Sequence, residues 1–269
     1  MFRPLLLSAT VLAGASVAAV AQPHPPIVVQ SWEITSDPAP HPTARVCVET
    51  GFKLVGGGAR VNWTGSGNLL TASYPEGDCW VGRSKDHVHA SPASITVWAI
   101  GLRDSQNQWD VHVNQATGLS AAHPIVTVSL PWGYALTGGG GRINWTGAGN
   151  LLTASYPVSD LSWEVRGKDH EISDPATATA YIIGIRPRAG GPVQTRTTSG
   201  VSGTAAHPSV TVAVANGFTL TGGGARVEWS GAGNLLTSSF PSASNWIASA
   251  KDHDISSPAP IFGYAIGIR

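Results

Sequence analysis

Phe52-Lys-Leu-Val-Gly-Gly-Gly58 returns as Tyr134-Ala-Leu-Thr-Gly-Gly-Gly140 and again as Phe218-Thr-Leu-Thr-Gly-Gly-Gly224. The glycine runs lie 82 and 84 residues apart, and other features keep the same step. His-Pro recurs at 41, 123 and 207, a tryptophan at 80, 163 and 246, and Lys-Asp-His at 85, 168 and 251. Self-similarity at a fixed period marks a repeat architecture and outranks any strand-by-strand reading. The expected organisation is a signal peptide over 1–21 followed by modules at 22–104, 105–187 and 188–269, with nothing left over for a separate catalytic domain.

Within each copy the hydrophobic period is two. The last segment reads Thr96-Val-Trp-Ala-Ile-Gly-Leu-Arg103, Thr179-Ala-Tyr-Ile-Ile-Gly-Ile-Arg186 and Phe262-Gly-Tyr-Ala-Ile-Gly-Ile-Arg269. Large residues such as Trp98, Ile100 and Leu102 alternate with Ala99 and Gly101, which predicts a strand with one buried face and one bare face open to close backbone approach. Ile125–Leu130 and Val210–Val214 predict a strand entered after the His-Pro turn. Gly-x-Gly-Asn, ending at Asn68, Asn150 and Asn234, predicts a tight turn with a left-handed asparagine whose flanks pair as a hairpin. The polar stretches 104–122 and 187–206 alternate around Val111 and Val113, and around Val193 and Thr195, and can each add an edge strand. The expected fold is all-β with five or six strands per module. A pseudo-threefold, β-prism-like arrangement and a row of three β-sandwich modules are the two packings weighed.

Composition narrows the function classes. The 269 residues carry 32 Gly and 19 Pro, only 12% are charged, and the net charge is zero, or −1 once Arg3 leaves with the signal. Such a chain has no basic field to hold a phosphate backbone, so nucleic acid is not an expected partner. Met1-Phe-Arg3, the apolar run from Leu5 to Val20 and Ala19-Val-Ala21 read as the charged, hydrophobic and cleavage regions of an export signal, and no later run is long enough for a transmembrane helix. The two cysteines, Cys47 and Cys79, both fall in the first copy, and an oxidising compartment predicts a disulfide between them as a local reinforcement. The expected location is extracellular or periplasmic.

The pattern Gly51 to Ala59, Ser73-Tyr-Pro75, Trp80 and Trp98-Ala-Ile100, matched in the other two copies, resembles tandem β-modules of exported bacterial proteins whose function is unassigned. Such modules usually have one cysteine near the first strand and another in the last. This chain keeps Cys47 but has none in a last strand. The resemblance implies a fold and carries over no catalytic residue.

Lys85, Asp86 and His87, with Lys168, Asp169 and His170 and with Lys251, Asp252 and His253, form the only run of three ionisable side chains, and it is identical in all copies. Read as a ligand site, the carboxylate accepts from sugar hydroxyls, Lys and His donate, and a nearby tryptophan stacks on a sugar face. Read structurally, Asp caps a turn while Lys and His make local pairs. The flanking Val88-His-Ala90, Glu171-Ile-Ser173 and Asp254-Ile-Ser256 have diverged around it. His41, His123 and His207 together with the triplet histidines give two imidazoles per module, and three of them on a pseudo-threefold axis raise a second possibility, a metal site, against the plainer reading of bonds to backbone at a strand entrance. Trp63, Trp145 and Trp229 read as packing residues ahead of sugar platforms.

Three equal triplets suit several equivalent binding sites better than one asymmetric acid–base constellation. The leading expectation is a secreted, lectin-like protein binding a glycan or extracellular polymer through its Lys-Asp-His loops, with no cofactor. A secreted polysaccharide hydrolase or lyase, using His253, Asp252, Lys251 and the unrepeated Glu228, is the enzymatic alternative. A structural surface or matrix protein, with the triplets paired internally, is the third.

Overall fold

The computed structural model describes residues 23–269, so the signal-peptide expectation lies outside the described residues. Every regular element is a strand. The first repeat supplies β1 (Val29–Thr35), β2 (Thr43–Cys47), β3 (Phe52–Asn62), β4 (Leu69–Glu76), β5 (Cys79–Lys85) and β6 (Ser94–Arg103). The second supplies β7 (Trp109–Thr117), β8 (Ile125–Ser129), β9 (Ala135–Asn144), β10 (Leu151–Ser159), β11 (Ser162–Lys168) and β12 (Thr177–Pro187). The third supplies β13 (Thr195–Val201), β14 (Ser209–Ala213), β15 (Thr219–Val227), β16 (Asn234–Ser242), β17 (Asn245–Asp252) and β18 (Ile261–Ile268). The segments between copies do add edge strands, β7 and β13.

The strands form three six-stranded sheets, and no sheet belongs to one repeat. Their orders are β1-β6-β3-β16-β17-β14, β13-β18-β15-β10-β11-β8 and β2-β5-β4-β9-β12-β7. Each is half one repeat and half another, in the cycle one with two, two with three, three with one; a row of separately folded modules would not give this pairing. The expected hairpin across Gly-x-Gly-Asn is corrected here. The turn forms, with Gly65 and Gly67 at φ of 58° and 87°, but β3 and β4 leave it for different sheets, and β4 pairs with β9 of the second repeat at Ala72–Arg142 and Ser73–Gly141. The local hairpin is β4–β5 instead.

The glycine run explains why the sheets can meet. A Cβ on the middle glycine (Gly57, Gly139, Gly223) would collide with the indole of Trp80, Trp163 or Trp246, each 1% exposed or less. One on the first glycine would strike backbone of another repeat, as Gly222 does at Thr137, and one on the third would strike the paired strand across the seam, as Gly140 does at Ser73. The bare face predicted for the last strand is therefore buried as well. Ala99 is fully buried in the core, and Gly101 faces Trp32 and Val48. Leu69, Leu151 and Leu235 form a small, fully buried cluster drawn from all three repeats.

Cys47 and Cys79 sit directly opposite one another on β2 and β5 and are joined by a disulfide. The bond suits a non-cytoplasmic environment. Among the described residues no helix is long and apolar enough to cross a membrane.

Candidate functional site

The Lys-Asp-His triplets lie where the three repeats converge, at the ends of β5, β11 and β17. Lys85, Lys168 and Lys251 are 2–3% exposed, and His87, His170 and His253 are 0–2% exposed. Each lysine reaches into the Gly-x-Gly turn of another repeat. Lys85 donates to the Gly147 and Ala148 carbonyls, Lys168 to Ala232 at 2.5 Å and Lys251 to Ser66. The ammonium groups also lie over the indoles of those turns, 3.8 Å from the ring centre of Trp145, 4.7 Å from Trp229 and 4.6 Å from Trp63. Burial lowers all three lysine pKa values, that of Lys85 to about 8.

The histidines close a ring. The Nε2 of His87, His170 and His253 lies 2.8, 2.8 and 2.7 Å from the carbonyl oxygens of His170, His253 and His87, and the ring centres are 5.4–5.5 Å apart. A carbonyl oxygen only accepts, so Nε2 is the donor in each of these short contacts. Each Nδ1 lies at 3.0–3.3 Å from the turn carbonyl that the lysine already holds. Desolvation dominates the lowered pKa of His87, and the neighbouring imidazoles add to it, so burial and like-charge repulsion both favour the neutral ring.

The backbone is shaped to make this ring. Val88, Glu171 and Asp254, which follow the histidines, have φ of 60°, 59° and 57°, and the next N–H donates back to the histidine carbonyl at 2.6–2.7 Å. A three-residue turn of this sense is rare, and for β-branched Val88 it is an outlier. It leaves each carbonyl facing the adjacent imidazole.

The aspartates are spent on their own loops. Asp86 accepts from Asn68 Nδ2 at 2.7 Å and from the Ser91 amide at 2.9 Å, and Asp169 and Asp252 repeat the pattern. Asn68, Asn150 and Asn234 are thus fully buried cross-links, and none has the positive φ expected of a left-handed turn residue. The structure therefore brings the nine triplet residues together and engages their polar atoms internally, with the lysine and histidine side chains out of reach of solvent. It does not join Glu228 to them: Glu228 pairs with Arg226 at 2.6 Å. Among the described residues no group of three or more His, Cys, Asp and Glu side chains is placed to hold a metal.

Each of the indoles that meet the lysines also meets an exposed side chain. His41, His123 and His207 are exposed and pack on the half-buried Trp145, Trp229 and Trp63 at ring-centre distances of 5.3–5.4 Å. Each tryptophan thus contacts both the buried ammonium and the exposed imidazole of one neighbouring repeat. At the seam of repeats one and two this edge opens into a groove of about 420 Å³ lined by His41, Thr71, Arg83, Ser84, Arg142 and Trp145, among others.

The chain matches no protein-family model and no curated protein.

Aromatic residues that the sequence marked only as strand or motif positions meet across the seams. Tyr74 and Tyr181, Tyr156 and Tyr264, and Phe240 and Trp98 stack across the three seams at 4.8–5.3 Å. Arg142, Arg226 and Arg60 lie over these rings. The recurring Arg-Val/Ile-Asn/Glu-Trp segment held the signal, because a period of two puts this arginine on the face opposite the buried middle glycine.

Proposed function

We propose that this is a secreted, lectin-like binding protein that takes a glycan or extracellular polymer in the grooves at the seams between repeats. The observation that carries the reading is an exposed histidine packed on a half-buried tryptophan, present once at each of the three seams. An indole edge beside imidazole, guanidinium, amide and hydroxyl groups offers apolar contact and directional hydrogen bonds to a ring bearing hydroxyls. Three such His–Trp edges on one chain add avidity along a repeating polymer. The Lys-Asp-His triplets support the grooves from beneath and do not contact the ligand. The disulfide supports the extracytoplasmic location.

A triple variant His41→Ala, His123→Ala, His207→Ala, screened with the unchanged protein against glycans and cell-wall polymers, tests the reading. Binding lost with the melting temperature kept is the expected result. Unchanged binding removes the His–Trp edges from the site. The second reading, a structural surface protein without a soluble ligand, is favoured by the internal pairing of the triplets, and a screen in which no polymer is bound would favour it.

A further inference from the structure

The three seams share a backbone and differ in charge. At the seam of repeats two and three, Arg166 pairs with Glu164 at 2.7 Å and Arg226 with Glu228 at 2.6 Å. At the seam of three and one, the position of Arg166 is taken by Ser249, and the remaining Arg60 donates to Asn62 at 3.0 Å. At the seam of one and two, both arginines are present as Arg83 and Arg142, while both carboxylates are replaced, by Val81 and Asn144.

Arg83 and Arg142 stand opposite Ala72 on the two strands flanking it. Their guanidinium carbons lie 5.9 and 5.3 Å from the centre of the same ring, Tyr74. Arg142 donates to Asn144 at 2.7 Å, and neither arginine makes an ion pair among the described residues. Glu76, on the same strand as Tyr74, is taken by Arg45 at 3.1 Å. Among the described residues the buried Tyr74 Oη has no partner, and Ser84, next to Arg83 on β5, turns to the opposite, buried face.

Two guanidinium groups gathered over one ring without a carboxylate repel one another. An oxyanion relieves this, because it accepts from both guanidinium forks. We infer that the groove between repeats one and two binds an oxyanion, a carboxylate or sulfate carried on the polymer, and that the other two seams do not. This rests on the proposed function and deepens it by making the ligand acidic at one of three seams.

The test compares the unchanged full-length exported protein with Arg83→Gln/Arg142→Gln, Arg83→Lys/Arg142→Lys and Arg166→Gln/Arg226→Gln. The probes are polygalacturonate, dextran sulfate, neutral dextran and inorganic sulfate, each at low and high salt, with melting curves establishing that every variant is folded. Loss of about tenfold or more in affinity for the acidic probes is expected from Arg83→Gln/Arg142→Gln. A smaller loss is expected from the lysine pair, which keeps charge without the fork, and none from Arg166→Gln/Arg226→Gln. Preference for polygalacturonate or for dextran sulfate identifies the oxyanion. Equal binding of acidic and neutral probes, or acidic binding unaffected by Arg83→Gln/Arg142→Gln, overturns the inference while leaving lectin-like binding in place. Inorganic sulfate that raises the melting temperature only when Arg83 and Arg142 are present, with no polymer bound, supports the oxyanion site and overturns the proposed function. No effect of any probe overturns both.

Discussion

Two sets of histidines recur in every repeat, and they end in opposite environments. His87, His170 and His253 are buried in a ring where each serves the next repeat, whereas His41, His123 and His207 are exposed on the tryptophans above it. Identity among copies therefore marks places where repeats touch, and a residue can be fixed by its neighbour repeat without meeting any ligand. What separates the two sets is access to solvent.

The largest effect should come from breaking the ring. His170→Ala removes the partner of the His253 carbonyl and opens a void where three repeats meet, and we expect a loss of about 3 kcal/mol in chemical denaturation. A loss below about 1 kcal/mol would show that the ring is incidental. Next, removing the disulfide with Cys47→Ser/Cys79→Ser should cost about 3 kcal/mol, because it closes a loop spanning 32 residues. Gly139→Ala, whose Cβ would meet the Trp163 indole, should cost about 2 kcal/mol by overpacking, read as a lower melting temperature.

A smaller effect is expected from pH. Because burial lowers the pKa of His87 in the fold, the unfolded chain binds the proton more readily. Stability should be full above the ordinary histidine pKa, about 6.5, and fall as pH drops below it. His87→Gln should flatten that acid-side slope, and a slope that survives unchanged assigns it elsewhere. Least of all, His41→Ala should change stability by under about 0.5 kcal/mol, since the ring it loses is exposed, while still weakening polymer binding. If His41→Ala destabilises as much as His170→Ala, the contrast between the two sets fails.

Much of the fold was legible because repeats and period-two alternation are local. The glycine run, the final strand and the edge strand around Val111 and Val113 were each readable from a short window, and the paired cysteines from their count and context. The hairpin across Gly65–Gly67 was misread for the same reason. A tight turn looks alike whether its flanking strands pair or part, and what parts them is the edge that β9 of another repeat offers to β4. The asparagines were misread too, because a Gly-x-Gly neighbourhood explains an asparagine equally well as a turn residue or as a cross-link to Asp86, Asp169 and Asp252.

The sequence by itself determined that the protein is all-β, built from three like modules, and that Lys-Asp-His, His-Pro and Arg-x-x-Trp recur in them. Only the tertiary structure decided which of these faces solvent. A period of two assigns residues to the two faces of a strand but is silent on what covers each face. Here that is settled by residues 60 or more positions apart: Lys85, buried, and His41, exposed, both contact Trp145 of another repeat.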